Sequence, residues 1–599
     1  MPEYKAPLRD IRFLVHDVWR FAEHYAAHGY ADVTDDLIDP VLEEAARYCE
    51  NVLAPTRRDG DETGSHLRDG QVVTPASYKD AYKGLVDGQW GGISCDPAWG
   101  GQGLPHSLGM VFHEMAESAN MPWCAVFTLL QGAIRAIEAH ASDDLKQTYL
   151  PNMVAGKWTG TMALTEAHAG SDLGLLRTRA EPADDGSYRI SGEKIFITWA
   201  DHDLAENIIH LVLAKLPDAP PGPKGISLFL VPKFLLDADG NPGERNRVEV
   251  AKLEEKMGLK SSPTCVFVLD QAKGWLVGEP HNGLAAMFTM MNSARLDVAF
   301  EGLGLAQLSH QGAVEYANER LQMRAPTGAA APEKPADPII VHPDIRRMLL
   351  TQKTLVEGCR ALGYYTAMQL DVALHSDDAA ARARANDRVA LLIPICKGFF
   401  TERGTEVADL GIQCFGGHGY IREWGMEQIA RDVRITRIYE GTNGIQAIDL
   451  VRRKVLGSGG RMLEGLLEEI RAFAGEHGDG AESGPWVART LDVVDRWQAL
   501  SDQLAADKDT DANAPMAAAF DYLEFSGYAA LAWVWAKMAV VAEAQLAAGE
   551  GDATFLRAKL ESARFYFERI LPRTRALEES LAAGPASLMG LEADAFFMP

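Results

Sequence analysis

Apolar residues recur three and four positions apart along most of this chain, the spacing of helices that bury one face. Residues 1–34 show it at Ile11, Leu14, Val18 and Phe21 and read as an N-terminal helical extension. From 35 to 158 the pattern stays helical. Asp35 and Asp36 precede Leu37 and Ile38, with Val41, Leu42 and Ala45 following, and a second helix covers Leu108 to Ala119. Between them, Trp90 to Leu104 is glycine-rich, but it lacks G-x-G-x-x-G after a strand and excludes a dinucleotide-binding βαβ unit.

The texture changes over 159–282. Short runs rich in β-branched and aromatic residues replace the helical spacing: 187–190, 194–199, 207–213, 226–231 and 264–269. Turn residues separate them at regular intervals, which predicts a small barrel or sandwich. Helical spacing returns over 283–455, with segments near 283–324, 342–374, 379–407 and 424–432 suited to a bundle. The Pro- and Ala-rich insert Ala325 to Pro338 reads as a surface loop between the first two. Residues 456–599 form an additional helical domain, broken at Gly457–Gly460 and Gly475–Gly484. There is no internal repeat. The fold class is α+β multidomain: helical domain, small β domain, helical bundle, further helical domain. The most apolar segment, Gly527 to Val541, contains Lys537 and is too short to span a bilayer, so it predicts a buried helix and no integral membrane segment.

Composition narrows the function. The 599 residues are too many for one core, and 47% hydrophobic content supports several. A net charge of -26 opposes nucleic-acid binding, so a polyanionic ligand would need locally placed arginines. Seven scattered cysteines with no C-x-x-C pair favour a reducing, cytoplasmic setting and oppose a zinc site. The opening residues lack a signal-peptide core.

Three stretches carry candidate chemistry. In Tyr439-Glu440-Gly441-Thr442-Asn443-Gly444 a carboxylate precedes a glycine at a turn, and helical spacing resumes at Ile445 and Ile448. Glycine admits close ligand approach and a positive φ, and a helix N-terminus offers free N–H groups. Taken alone, Glu440 reads first as a solvated turn residue. Met162-Ala163-Leu164-Thr165-Glu166-Ala167-His168-Ala169-Gly170-Ser171-Asp172 opens the β region with small residues and hydroxyls suited to a phosphate-bearing or ring-shaped ligand, or to an ordinary loop before a strand. Gln413-Cys414-Phe415-Gly416-Gly417-His418-Gly419-Tyr420 is a glycine loop after a helix, equally a helix C-cap.

In this order and at this separation, the stretches resemble the flavin-dependent acyl-CoA dehydrogenase family over residues 35–455. Thr165 to Asp172 is similar to the family's TEPGAGSD, with Ala167-His168 in place of Pro-Gly. Lys194 to Thr198 resembles its K-x-W-I-T strand, with Phe196 for tryptophan. Glu255 to Lys260 resembles its K-x-G-x-R/K turn. Asn292 to Arg295 matches the arginine that opens the bundle. Glu319-Arg320 matches an E-R pair, although Leu321-Gln322-Met323 departs from the family's K-x-F after it. The opening residues and the extra C-terminal helices resemble a long subgroup of the family.

The resemblance implies FAD as cofactor and α,β-dehydrogenation of an acyl-CoA thioester, with hydride passing to flavin N5. It implies a short or medium substrate such as 3-(methylthio)propanoyl-CoA, a straight-chain fatty acyl-CoA being the alternative. An oxidase using O2 would share the motifs. Glu440 is implied as the α-proton base, its pKa raised by desolvation when sandwiched between thioester and flavin, while its backbone N–H serves the enolate oxygen. Met162, Leu164, Thr165, Gly170 and Ser171 are implied to line the flavin, backed by Phe196, Ile197 and Thr198. Arg320, Gln322, Gln413, Gly416 and Gly417 are implied to hold the adenine half of FAD from a neighbouring subunit. Thr442, Asn443 and Gly444 also touch FAD. Ser171, Arg295, Gly441 and Arg452 are implied for CoA. The implied partners are an electron-transfer flavoprotein as acceptor and a second copy of the chain in a homodimer, with no metal.

Overall fold

The structure is a computed structural model and describes residues 2–597. Its contacts gather into two compact units. One comprises Met1–Glu43, His106–Glu114 and Val298–Pro599, and the other Glu44–Pro105 and Met115–Asp297.

The second unit holds all eleven strands found among the described residues. His66–Arg68 (β1) and Gln71–Val73 (β2) form a hairpin turned by Asp69 and Gly70, both at positive φ. An Asp-Gly pair favours this two-residue turn, so the wholly helical reading of 35–158 is corrected here. The main sheet contains Trp158–Ala163 (β3), Arg179–Pro182 (β4), Tyr188–Thr198 (β5), Asn207–Lys215 (β6) and Ile226–Pro232 (β7). After the small hairpin Phe234–Leu236 (β8) and Pro242–Arg245 (β9), it is completed by Val248–Leu253 (β10) and Thr264–Val277 (β11). The order is β10-β11-β5-β4-β6-β3, with β7 pairing both β11 and β6. The pairings β11-β5-β4-β6-β7-β11 therefore close on themselves. Strands β6 and β7 are buried along nearly their whole length, which explains why they read as continuous apolar runs.

In the first unit the long bundle helices include Pro343–His375 and Ala379–Phe415, the latter N-capped by Asp378, which accepts from Ala380 N at 2.8 Å. The helix Gly283–Glu319 stops five residues before the predicted Arg324. The chain there folds into a pinned loop, with Leu321 bridged to Pro338. Asp337, wholly buried, accepts from the N–H groups of Ala325, Ala330 and Ala331 and from Arg324. The insert is thus a clasped loop, not a loose one.

The appended region contains Arg461–His477, Gly484–Asp507, Ala514–Ala548, Ala553–Phe565 and Arg573–Ala582. Ala514–Ala548 has 35 residues and is long and apolar enough to cross a bilayer, correcting the expectation that it is too short. Its most apolar window is 83% buried, so it is a core helix. It seats on the Ala379–Phe415 helix through glycine: a Cβ at Gly398 would meet Leu523 at 2.6 Å, and one at Gly527 would meet Phe399 at 2.2 Å. A buried ion cluster ties the two chain ends to Pro343–His375. Arg360 donates to Asp10 (2.6 Å) and Glu114 (2.7 Å), and Lys559 to Asp10 and Glu357.

Candidate functional site

In the second unit the site residues lie on the loop after β3 and on β5. The loop reverses at Ala167-His168, where Glu166 and Ala169 exchange both backbone hydrogen bonds at 3.0 Å. It is tied to β5 by Ile195 N, which donates to Thr165 O (2.9 Å), and by Lys194 Nζ, which donates to Leu164 O (3.0 Å) and Glu166 Oε1 (2.9 Å). Glu166 also accepts from Arg177 N, Thr178 N and Thr178 Oγ1. Burial pushes its pKa up, but the Lys194 charge and these bonds outweigh burial and hold it near 2. Burial draws Lys194 down to about 8 against the pull of Glu166. Glu166 is therefore a fixed anion that braces the loop, not a base.

Leu164 packs into the apolar core and Met162 is half-buried against it, while Gly170 and Ser171 are exposed at the loop's far end. On β5 the register against β11 slips between Lys194 and Ile197. This bulge gives Phe196 a φ of +60° and leaves it 58% exposed. Bulges re-aim side chains in this way. Ile197 faces the sheet core and Thr198 is half-buried. Phe196 thus displays a ring on the strand to which the 164–166 part of the loop is bonded, a surface suited to a flat ligand.

The Leu173–Leu175 turn follows, with Gly174 close against Pro223. Beyond it lies a cavity of about 480 Å³ lined by Lys224, His281, Asn282, Leu284 and Phe288. Arg295 is buried, its guanidinium 5.9 Å from the Phe288 ring centre. Sequence reasoning missed Lys224 and His281, since isolated basic residues beside loop glycines and prolines give no periodic signal.

In the first unit, Glu440 (φ +55°) and Gly441 (φ +80°) are consecutive left-handed residues. A glutamate held there stores strain. Thr442 caps the helix Asn443–Ile448, accepting from Ile445 N at 3.3 Å, and a π-helical stretch Asp449–Leu456 continues it, carrying Arg452 on the surface. Thr442 and Gly444 are exposed. Asn443 is buried, and its amide is turned inward: Nδ2 donates to Thr401 Oγ1 and Glu402 Oε1, and Oδ1 accepts from Lys397. Only its backbone is left to meet a cofactor. Arg320 and Gln322 are exposed on the clasped loop, and Gln413, Gly416 and Gly417 at the end of Ala379–Phe415. Beside the latter, Tyr316 hydrogen-bonds His418 Nδ1 at 2.7 Å. Among the described residues no cluster of His, Cys, Asp and Glu is placed to hold a metal ion.

A helical domain, a β domain and a helical bundle in this order are the architecture of the flavin-dependent acyl thioester dehydrogenases, and the chain belongs to the acyl-CoA dehydrogenase family. Family models for its N-terminal, middle and C-terminal domains match residues 39–157, 161–272 and 281–455. A fourth, the acetyl-CoA dehydrogenase C-terminal-like domain, matches 466–592. The protein is an FAD-dependent oxidoreductase. It is 44% identical to the 3-methylmercaptopropionyl-CoA dehydrogenase of Ruegeria pomeroyi, over 95% of this chain and 96% of that one. It is 34% identical to the broad-specificity linear acyl-CoA dehydrogenase FadE5 of Mycobacterium tuberculosis over the full length of both. Among solved structures, the Bacillus anthracis acyl-CoA dehydrogenase complexed with FAD shares its fold at 19% identity, with a TM-score of 0.74 over 96% of this chain and 92% of that one.

Proposed function

We propose that the protein converts an acyl-CoA to the 2-enoyl-CoA, with Glu440 taking the α proton. The observation that carries this is the turn itself. A carboxylate is held in a strained left-handed conformation, braced by buried groups, at the entrance to a capped helix. When bound, FAD supplies the hydride acceptor. Phe196, Thr198 and the 162–171 loop would hold its ring system, and Arg320, Gln322, Gln413, Gly416 and Gly417 its adenine half. The Glu440 N–H polarises the thioester carbonyl as enolate charge develops. Ser171, Arg295, Gly441 and Arg452 bind CoA, and Lys224 with His281 adds local basic groups for a polyanionic ligand on a chain of net charge -26.

The substrate we infer is a short or medium acyl-CoA, including 3-(methylthio)propanoyl-CoA, supported by the 44% identity to the Ruegeria enzyme. The acceptor we infer is an electron-transfer flavoprotein, and the assembly a homodimer in which a neighbouring copy completes the adenine site. The domain limits we assign are 1–34, 35–158, 159–282, 283–455 and 456–599. A turnover panel of acyl-CoAs with ferrocenium as acceptor, run for wild type and Glu440→Gln, tests the reading. Glutamine keeps the size and the backbone N–H but accepts no proton, so turnover falls by about 10²–10⁴ or more while FAD and acyl-CoA still bind. Retention of more than about a tenth of kcat places the base elsewhere. Reaction only with long chains overturns the substrate, and peroxide formed with O2 overturns the acceptor.

A further inference from the structure

Lys397 lies mid-way along the Ala379–Phe415 helix, among Ile393, Ile395 and Phe399, with none of its surface exposed. An ammonium is costly to bury unless its donors are used. Its Nζ donates to Gly441 O at 2.8 Å and to Asn443 Oδ1 at 2.9 Å. The Asn443 amide passes the contact to Glu402, whose carboxylate also takes Arg437 in a two-point pair, Nε at 2.8 Å and Nη2 at 2.7 Å. Arg437 lies three residues before Glu440. From the other side, Gln446 Nε2 donates to Glu440 O at 2.9 Å.

The carbonyls of both left-handed residues are therefore held, Glu440 by Gln446 at 2.9 Å and Gly441 by Lys397 at 2.8 Å with a longer bond from Gln446 at 3.4 Å. Such a pair persists only where the surroundings over-determine it. Released, a glutamate relaxes toward ordinary negative φ, and its Cα–Cβ bond swings away from its present direction. Proton abstraction depends on the base being placed to within a fraction of an ångström.

We propose that Lys397 is a positioning residue for proton abstraction: by holding the Gly441 peptide it keeps the Glu440 carboxylate aimed. The inference rests on Glu440 being the base and names the buried group that makes it effective. Lys397 reaches the turn from within the bundle, through the Gly441 carbonyl and the Asn443 amide.

The test uses FAD-loaded enzyme with butanoyl-CoA and 3-(methylthio)propanoyl-CoA, ferrocenium as acceptor, and the variants Lys397→Met, Lys397→Gln and Glu440→Gln. Lys397→Met loses about 10- to 100-fold in kcat while KM stays within about threefold of wild type. Lys397→Gln, which keeps an NH2 donor group but loses the charge, falls between Lys397→Met and wild type. FAD content stays at one per chain in both. If Lys397→Met does not fold, Lys397→Gln and Gln446→Met carry the same measurement, the latter releasing the Glu440 carbonyl. Wild-type kcat in the Lys397 variants overturns the proposal, as does a parallel loss of FAD, KM and kcat, which marks a merely structural lysine. Glu440→Gln separates the two readings. If it is inactive while the Lys397 variants turn over normally, only the positioning role is refuted. If it is active, the base assignment fails and the positioning role falls with it.

Discussion

Replacing Lys194 by methionine removes the ammonium that ties the 164–169 loop to β5. The pair it forms with Glu166 is nearly balanced. Folding lowers the Glu166 pKa from 4.5 to about 2, which stabilises the fold at neutral pH, whereas burial draws Lys194 from 10.5 down to about 8, which opposes it. The two together thus add little net stability, as buried ion pairs often do. Breaking the pair is different. Lys194→Met leaves the Glu166 carboxylate buried with only its neutral donors at Arg177 and Thr178, and leaves Leu164 O without its lysine. The expected loss is about 3–5 kcal/mol. The double variant Lys194→Met with Glu166→Gln removes both charges, keeps an acceptor for the Thr178 donors, and recovers most of that loss. Urea denaturation of the FAD-loaded proteins at pH 7.5 measures the cycle. The wild-type curve adds a sign test. The Glu166 contribution is complete above pH 4.5 and disappears as pH falls toward 2, while the Lys194 cost is relieved as pH rises from 8 to 10.5. If Lys194→Met lies within about 1 kcal/mol of wild type, the pair behaves as a surface salt bridge and the bracing argument fails.

A second expectation concerns Glu524. Burial lifts its pKa to about 7, against the opposing charge of Arg403 at 2.7 Å, and its Oε1 has no hydrogen-bond partner. An acid whose folded pKa is raised loses stability as pH rises from its unfolded value, here 4.5, to its folded value, here about 7. Glu524→Gln therefore matches wild type in Tm near pH 4 and exceeds it at pH 8.5, because Arg403 keeps Glu406 as partner; equal Tm differences at both pH values refute this. Phe196→Gly relieves a left-handed φ worth about 1 kcal/mol and so raises apoprotein stability, while FAD dissociates faster as followed by flavin fluorescence. Unchanged FAD retention would remove Phe196 from the cofactor site.

How much the sequence displayed, and how much it hid, depends on where each signal resides. Strands β6 and β7 were legible because burial on both faces demands unbroken apolar runs. Strand β3, Trp-Thr-Gly-Thr-Met-Ala, was not: Gly160 is there because a Cβ would meet Ala133 at 2.4 Å, a packing reason with no trace in local propensity. The Asp69-Gly70 turn was a readable hairpin signal, obscured by helical spacing on either side. At the site, the Glu440-Gly441 turn stood out because its chemistry is local. Lys397 did not, since a lone lysine among Ile395, Cys396 and Phe399 looks like the polar stripe of a helix until its partners are seen 44 and 46 residues away. Asn443 carried the opposite ambiguity: its motif position suggested a ligand, while its amide serves the helix beneath.

The Ala514–Ala548 helix bears on how the chain is made. It is long and apolar enough to cross a bilayer, and it is the longest helix of residues 456–599. By the time it leaves the ribosome, the helices Pro343–His375, Ala379–Phe415 and Asn443–Ile448 that receive it already exist, since chains fold from the N-terminus as they emerge. The landing surface comes before the hazard. Gly398 and Gly358 keep that surface open, so a larger residue at either would strand a long greasy helix on a nascent chain. Such variants would be cleared by quality control before a defect in turnover could ever be measured.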